Sequence, residues 1–406
     1  MKVDQTRLMA ELDQLATYSE VPAPAVTRVV YTATDLAART FLKSLCDGFT
    51  IREDAVGNTF IRWVGAEPDL PAVGTGSHID AIPNAGRYDG TVGVLGGLEA
   101  MRALREDGFK PRRSIELLLF TSEEPTRFGI GCLGSRFLAG SLSASDGERL
   151  KDAQGATLNQ VRMVAGFSWP LEEVVLKQGY YHAFAELHIE QGPLLEKRGV
   201  PLGVVTAIAA PASLRITIEG EGGHAGAVLM PGRHDAFLGA AEIALALEAA
   251  AKGSGAIDTV ATTGICNVFP GAVNSIPSLV ELSVDVRDID LDRRDAMLAS
   301  LTRACDRVGA GRGLRITREV LNADAPAVCS AMVVEALERA CGIHPFDRMV
   351  SRAYHDSLFM SRIAPTAMLF IPCRAGVSHR PDEYSSPQDI TRGVAVLAKA
   401  LAYLAE

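Results

Sequence analysis

The strongest constraint on the fold is the alternation of short apolar runs with stretches whose apolar residues recur at three- and four-residue spacing. Runs of this length are typical of buried strands, and the spacing is typical of helices that pack on a sheet. Strands are predicted at residues 72–79, 115–120 and 183–189, and helices at 35–46 and 93–105. The alternation continues to residue 210 and predicts an α/β fold.

A different series occupies residues 211–322. It reads strand, helix, strand, strand, helix, strand, at 214–219, 235–251, 259–268, 279–288, 292–308 and 314–320. This order predicts the split βαβ sandwich, a ferredoxin-like α+β unit with one open sheet face and one helical face. The α/β pattern resumes afterwards, with a helix at 331–341, a strand at 366–371 and a closing helix at 389–405. The sequence therefore predicts one catalytic domain, formed by 1–210 and 323–406, that is interrupted by a smaller inserted domain.

Composition and charge exclude several classes of protein. With 48% hydrophobic and 22% charged residues, the 406-residue chain can bury a large core. A net charge of −9 makes neither nucleic acid nor an anionic membrane surface an expected partner. No apolar run reaches the roughly 20 residues of a membrane span. Seven scattered cysteines without a CxxC pair, and an N-terminus unlike a secretion signal, predict a cytoplasmic enzyme.

The segment GTGSHIDAIPNAGRYDG carries three ligand-type side chains just after a predicted strand. His78 ends the strand, and Asp80 points to the same side of an extended chain, where its carboxylate can orient the imidazole. Asp89 lies in a tight Tyr-Asp-Gly turn before a helix, and a carboxylate there can bridge two cations. The alternative interpretation is a hydrophilic loop with a helix-capping Asp.

The segment LLLFTSEEPTRFG places two adjacent carboxylates at the end of another buried strand. Such a pair is costly unless cations or protons compensate its charge. Pro125 keeps the preceding residue out of the helical region, so the two side chains diverge. The prediction is that Glu124 binds metal and Glu123 is the general base toward water. An exposed acidic strand end is the alternative.

Two further histidines complete a predicted ligand set. His188 lies late in the strand of FAELHIEQGPLLE, and His379 lies in the loop GVSHRPDEYSS. Each alone is weak evidence, because a single strand histidine is more often a core residue with satisfied hydrogen bonds. Three His, one Asp and one Glu together suit two divalent cations that share Asp89, with coordination positions left open for catalysis.

The inserted domain carries hydrogen-bond donors rather than metal ligands. His224 lies among glycines, and the planar guanidinium of Arg287 suits a substrate carboxylate. Asn274 would help Arg287 to hold that carboxylate. For Arg287, a local ion pair with Asp285 or Asp288 is the alternative. His355 in SRAYHDSLF is either a site residue or part of a helix start capped by Asp356.

Seven motifs resemble, as an ordered set, those of one enzyme family. They are GSHIDAIPNAGRYDGTVGVLGGLE, FTSEEPTRFG, ELHIEQGP, GGHAGAVLMP, GAVNSIP, AYHDSLFMSRI and IPCRAGVSHRPDEYSS. They resemble the dinuclear-metal amidohydrolases of the M20 peptidase clan that act on carbamoyl or ureido groups, and the resemblance spans nearly the whole chain. Within this group, FTSEEPTRFGI, CLGSR and SRAYHDSLFM are most similar to the ureidoglycolate branch. N-carbamoyl-L-amino acid hydrolases and allantoate amidohydrolases are the alternatives.

The resemblance implies a role for each of these residues. Metal ligands would be His78, Asp89, Glu124, His188 and His379. Catalytic roles are expected for Glu123, Asp80, His224 and His355, and substrate contacts for Gln191, His224, Asn274, Arg287, Tyr354 and His355.

The resemblance also implies a fold, a metal and a reaction. The expected fold is a mixed sheet flanked by helices, with an inserted domain that mediates a homodimer and closes as a lid. Manganese is the implied metal, although a ligand set of carboxylate and imidazole without thiolate also permits Zn²⁺, Ni²⁺ or Co²⁺. The expected reaction cleaves the ureido group of (S)-ureidoglycolate to glyoxylate, ammonia and carbon dioxide.

Overall fold

The computed structural model describes residues 1–406, which form two compact units. The larger unit comprises 1–206, 329–351 and 355–406, and the smaller comprises 207–328 and 352–354. The smaller unit therefore begins before residue 211 and ends after residue 322, the boundaries expected from the sequence. It also takes in three residues that the sequence assigned to the returning part of the larger domain.

Strands and helices alternate along most of the chain. The strands are β1 Val26–Arg28, β2 Thr50–Glu53, β3 Thr59–Trp63, β4 Ala72–His78, β5 Ala81–Ala85, β6 Ile115–Phe120, β7 Tyr181–Ile189, β8 Gly203–Ile208, β9 Ala210–Glu219, β10 Gly223–His224, β11 Val260–Phe269, β12 Ser275–Ile276, β13 Leu279–Asp288, β14 Arg315–Ala323, β15 Ala327–Val328, β16 Asp347–Ser351 and β17 Thr366–Ile371. The helices are α1 Gln5–Ala16, α2 Ala33–Ser44, α3 Thr91–Glu106, α4 Leu133–Leu138, α5 Asp146–Arg149, α6 Leu158–Val164, α7 Leu194–Arg198, α8 Ala236–Gly253, α9 Leu291–Arg312, α10 Ala331–Cys341, α11 Ser357–Met360 and α12 Pro387–Ala405.

The centre of the largest sheet decides where the site lies. Strands β17, β7, β4 and β6 are neighbours in that order and run parallel, whereas β3 joins β6 antiparallel, so the sheet is mixed. His78 pairs in register with Phe120, so β4 and β6 end at the same edge. In an open α/β sheet, ligands bind at the carboxyl ends of parallel strands.

Both faces of this parallel centre are covered, which explains why β6 is almost entirely apolar. On β6, Leu117 and Leu119 pack with Leu98 of α3, while Leu118 and Phe120 pack in a second apolar cluster with α4. All six residues of β6 are buried. A strand buried on both faces reads as a continuous apolar run rather than as an alternation.

The smaller unit has the topology predicted from the sequence. Its sheet has the order β11–β13–β9–β14 and is antiparallel throughout, which is the strand order of a split βαβ sandwich. Helices α8 and α9 cover one face, where Ile216 and Ile218 pack against Ile243 and Leu301. Strand β13 alternates half-buried and buried residues, as expected for a sheet with a single helical face.

The tract of residues 141–171 contains the short helices α5 and α6. Helix α6 begins with a capping box in which Thr157 and Gln160 exchange side-chain-to-backbone hydrogen bonds. No helix in the molecule is both long enough and apolar enough to cross a membrane.

Candidate active site

The five predicted metal ligands converge on one carboxylate at the carboxyl edge of the parallel strands. Asp89 Oδ1 lies 3.2 Å from Nε2 of His188 and 3.6 Å from Nε2 of His78. Asp89 Oδ2 lies 3.3 Å from Nε2 of His379, which is itself 3.2 Å from Oε1 of Glu124. Each oxygen of Asp89 therefore faces a different set of ligands, as a carboxylate that bridges two cations does.

The chemistry of the donors suits a metal pair. Nδ1 of His78 lies 3.0 Å from the carbonyl oxygen of Asp80, and Nδ1 of His188 lies 2.8 Å from that of Ile189. Because a carbonyl oxygen only accepts, each Nδ1 carries a proton, and a neutral ring then presents its Nε2 lone pair to Asp89. Lone pairs that face a carboxylate at these distances repel it, and a cation between them removes the repulsion.

The electrostatics around Asp89 favour positive charge on its neighbours. Burial opposes its ionisation, but the surrounding imidazoles hold the pKa of Asp89 well below its usual range. Hydrogen bonds that His379 donates to the carboxylates of Asp89 and Glu124 raise the pKa of His379 to about 11. The residues are thus arranged so that Asp89 stays ionised and positive charge is favoured on both of its sides.

Glu123 lies beside the ligands without joining either ligand set. Its Oε2 is 3.8 Å from Nε2 of His78, and the thiol of Cys132 donates to its Oε1 across 3.6 Å. Burial, with the nearby carboxylates of Glu124, Asp356 and Asp89, raises the pKa of Glu123 well above that of an ordinary glutamate. A carboxylate with a raised pKa is suited to general base catalysis near neutral pH.

Asp80 has a different main contact from the one expected. Its Oδ1 and Oδ2 accept the backbone N–H groups of Glu123 and Glu124, at 3.1 and 3.0 Å. The carboxylate is 3.6 Å from His78 Nδ1, farther away than the Asp80 main-chain oxygen that orients the ring. Asp80 therefore fixes the turn that carries both glutamates, while its own backbone holds the imidazole.

Gly90 follows Asp89 at a position that suits only glycine. Its φ is 67°, and a Cβ built there would lie 2.4 Å from Nε2 of His78. The N–H of Gly90 points at Nε2 of His188 at 3.2 Å, in agreement with an unprotonated nitrogen there. A side chain at this position would displace a predicted ligand.

Gln191, which was expected to face the substrate, binds Asp89 through its amide nitrogen. Nε2 donates to Asp89 Oδ2 at 2.7 Å, and the residue has a φ of 55°. Its Oε1 is buried without a hydrogen-bond partner. One end of the amide therefore orients the carboxylate of Asp89, and the other end is available to an N–H donor.

His355 lies beside the predicted metal ligands. Its ring packs edge-on against His188, with centroids 4.6 Å apart, and it also contacts Phe370. The side chain is 2% exposed, so it lies deep in the larger unit. Asp356 follows as the N-cap residue of α11 and accepts a hydrogen bond from Ser135.

The remaining predicted substrate-binding residues lie in the smaller unit. His224 Nδ1 accepts from Gly226 N, the carbonyl oxygen of Asn274 accepts from Ala225 N, and Tyr354 donates to Asp324. Arg287 forms an ion pair with Asp285 at 2.7 Å, which is the local alternative left open by the sequence. Their roles in substrate binding stay predictions.

Sequence reasoning missed two acidic residues that support the site. Glu186, on β7, accepts the hydroxyls of Ser77 and Ser357 at 2.7 and 2.6 Å. Glu383 contacts the turn of Asp89, and burial with the nearby Asp89 carboxylate raises the pKa of Glu383 to about 7. The only local signal for Glu186 and Glu383 was their closeness in sequence to His188 and His379. Most of the residues that they contact lie far away along the chain, so local spacing did not reveal these contacts.

A model of peptidase family M20/M25/M40 matches residues 74–403. The chain belongs to this family, so the resemblance seen in its motifs is confirmed. The α/β fold and the expectation of a hydrolase are confirmed with it.

The similarity to one relative extends over the whole chain. Ureidoglycolate hydrolase of Arabidopsis thaliana is 51% identical over 415 aligned residues, which cover 100% of this chain and 87% of the relative. The crystal structure of AtUAH in complex with glyoxylate has a TM-score of 0.91 and 51% identity, and the match covers 100% of this chain and 98% of that one. AtUAH in complex with (S)-hydroxyglycine matches with a TM-score of 0.91, 50% identity and the same coverage.

Proposed function

We propose that the protein hydrolyses the ureido carbon–nitrogen bond of (S)-ureidoglycolate. The observation that carries the proposal is the convergence of three imidazoles and two carboxylates on the edge of the sheet, with the buried Glu123 beside them. The reaction named for the Arabidopsis relative, and the glyoxylate and (S)-hydroxyglycine bound in the AtUAH structures, support this choice of substrate.

We propose two divalent cations as cofactors. One would be held by His78, Asp89 and His188, and the other by Asp89, Glu124 and His379. When bound, such a pair lowers the pKa of water and polarises a carbonyl oxygen. Manganese stays a prediction, because carboxylate and imidazole ligands also suit Zn²⁺, Ni²⁺ and Co²⁺.

Glu123 performs the proton transfers in this proposal. Its carboxylate takes a proton from the attacking water, whose oxygen adds to the ureido carbonyl carbon. Glu123 then returns that proton to the leaving nitrogen as the carbon–nitrogen bond breaks. The products are carbamic acid, which decomposes to ammonia and carbon dioxide, and hydroxyglycine, which loses ammonia to give glyoxylate.

The neighbouring residues keep Glu123 and the ligands in position for this chemistry. Asp80 holds the backbone of the two adjacent glutamates, so the base and the ligand keep a fixed spacing. The buried Oε1 of Gln191 is suited to accept an N–H of the ureido group. Groups fixed in this way need little reorganisation during the reaction, which is how orientation contributes to catalysis.

A substrate panel tests the proposal. We expect protein loaded with Mn²⁺ to release ammonia from (S)-ureidoglycolate with a kcat/KM at least tenfold above that for allantoate or any N-carbamoyl-L-amino acid, since a tenfold preference needs only about 1.4 kcal/mol of differential binding. Ammonia release and glyoxylate would be followed separately. A preference for allantoate or an N-carbamoyl amino acid would reject the substrate while keeping the reaction class. No release from any of them would reject the class as well.

Replacing Arg287 tests the carboxylate-binding role predicted for it. If its guanidinium binds the substrate carboxylate, Arg287→Ala should raise KM by about tenfold or more with a smaller change in kcat, because a charge-assisted pair is worth about 1.5–3 kcal/mol. The matched control is Arg293→Ala, since Arg293 is similarly exposed and pairs with Asp288 at 2.6 Å. Equal KM values in the two variants would remove Arg287 from substrate binding.

The assembly and the location also stay predictions. We propose a homodimer formed through the smaller unit, in which His224 and Asn274 contact the substrate. The cytoplasmic location rests on the amino-acid sequence alone.

A further inference from the structure

The carboxylate of Glu383 forms hydrogen bonds with the loop of Asp89 and with the loop of His379. These two residues, with Glu124, are the predicted ligands of one cation. Glu383 is buried, and its Oε1 accepts the backbone N–H groups of Tyr88 and Asp89, at 2.8 and 3.1 Å. Its Oε2 lies 2.9 Å from the hydroxyl of Ser378, which is 2.6 Å from Oδ2 of Asp89. Ser378 precedes His379 in the chain, so the carboxylate reaches both the turn of Asp89 and the loop of His379.

Packing around Glu383 joins the same two loops. The ring of Tyr384 meets that of Tyr88 edge to face, with centroids 6.2 Å apart. A Cβ at Gly86 would lie 2.3 Å from Cβ of Glu383, so glycine there leaves the space that the glutamate occupies. Both contacts indicate that the loop of Asp89 and the loop of His379 pack closely against each other.

His379 is the ligand that most needs such support. The other four predicted ligands are at most 8% exposed, whereas the side chain of His379 is 45% exposed. His78 and His188 come from the ends of strands, but His379 comes from a loop and has a φ of 59°. A ligand on an exposed loop keeps its place only if neighbouring contacts fix that loop.

We propose that Glu383 is a positioning residue that sets the spacing of Asp89 and His379 and thereby the affinity of the cation they share with Glu124. The inference rests on the proposed metal pair and adds an asymmetry to it. The cation at His78 and His188 shares Asp89 but takes no ligand from the loop of His379. Loss of Glu383 therefore weakens the site of His379 more than the site of His78 and His188.

Metal titration without substrate tests this inference. Mn²⁺ would be titrated into metal-free protein in competition with a fluorescent chelator, to give two dissociation constants. In Glu383→Ala we expect one constant to rise by about 10- to 100-fold, the usual effect of losing a residue that orients a ligand, and the other to rise by a clearly smaller factor, because that site shares only Asp89. Unchanged constants, or equal weakening of both sites, would overturn the inference.

A conservative variant separates positioning from charge and from folding. In Glu383→Gln the amide oxygen can still accept both backbone N–H groups, and its NH₂ can donate to Ser378, so we expect near wild-type constants. Weakening as large as in the alanine variant would mean that charge, not geometry, matters, and would overturn the positioning role. If Glu383→Ala does not fold, Ser378→Ala provides the same test, because it removes one hydroxyl and no charge. It should weaken the site of His379 more than the other site.

A buried acid away from the site provides the control. Glu116 is 1% exposed and accepts the hydroxyl of Tyr181 at 2.6 Å. Glu116→Ala should lower the Tm and leave both Mn²⁺ constants unchanged. A wild-type protein that binds no Mn²⁺ would reject the metal pair itself, whereas wild-type binding with an unaffected Glu383→Ala would reject only the role of Glu383.

Discussion

Glu123→Gln should lose at least about two decades of kcat while it keeps its bound metal, because a general base contributes roughly 10²- to 10⁴-fold. Glutamine preserves the shape of the side chain and cannot accept a proton at neutral pH. Glu123 is 7% exposed and belongs to neither ligand set, so the change removes a base without opening a metal site. Steady-state kinetics and metal analysis of the same preparation would measure both quantities.

The control for this variant is Glu116→Gln. Glu116 lies on β6, the strand that leads to Glu123, and its carboxylate accepts the hydroxyl of Tyr181. We expect a normal kcat in this variant, because Tyr181, the hydrogen-bond partner of Glu116, has a structural role and no role in the reaction. Near-normal kcat in fully metallated Glu123→Gln would remove Glu123 from the mechanism, and equal losses in both variants would assign the loss to damage of β6.

Removal of metal by a chelator should abolish turnover and lower the Tm. Asp89, Glu123 and Glu124 lie buried within one site, and bound cations would offset their mutual repulsion. A ligand that binds only the folded state stabilises it by about 2.7 kcal/mol when its free concentration is 100 times its Kd. Adding Mn²⁺ back should restore activity and raise the Tm together, which thermal unfolding and ammonia release would follow.

Asp89→Asn is the matched variant for the chelation experiment. Asparagine keeps the size of the side chain but removes the charge that faces His188 and His379. We expect the Tm of this variant to be insensitive to both chelator and Mn²⁺, which separates loss of the bound metal from any direct effect of the chelator. Full turnover in exhaustively chelated wild-type protein would contradict the metal-dependent mechanism.

The strands that position the site could be predicted closely. The predicted strand 115–120 coincides with β6, and the predicted strand 72–79 corresponds to β4, which ends at His78. Strands buried on both faces carry a continuous apolar run, so their ends are marked in the local sequence. The ligand types could be proposed for the same reason, because polar residues at the carboxyl end of a parallel strand stand where ligands bind.

Contacts between distant segments could not be predicted. Asp80 was expected to orient His78, but its carboxylate binds the backbone of the two glutamates that follow β6. Gln191 binds Asp89 rather than being left free for substrate at both ends. Such partners depend on which loops meet after the sheet has formed, and neither spacing nor charge along the chain contains that information.

The amino-acid sequence by itself determined the α/β class, the smaller split βαβ unit and the four residues that meet around Asp89. The tertiary structure alone decided that Glu383 supports that carboxylate, since the two partners in the hydrogen bond from Tyr88 to Glu383 are 295 positions apart. Hydrophobic periodicity is a local property, which the sequence displays directly. The meeting of two loops depends on the packing of every element between them.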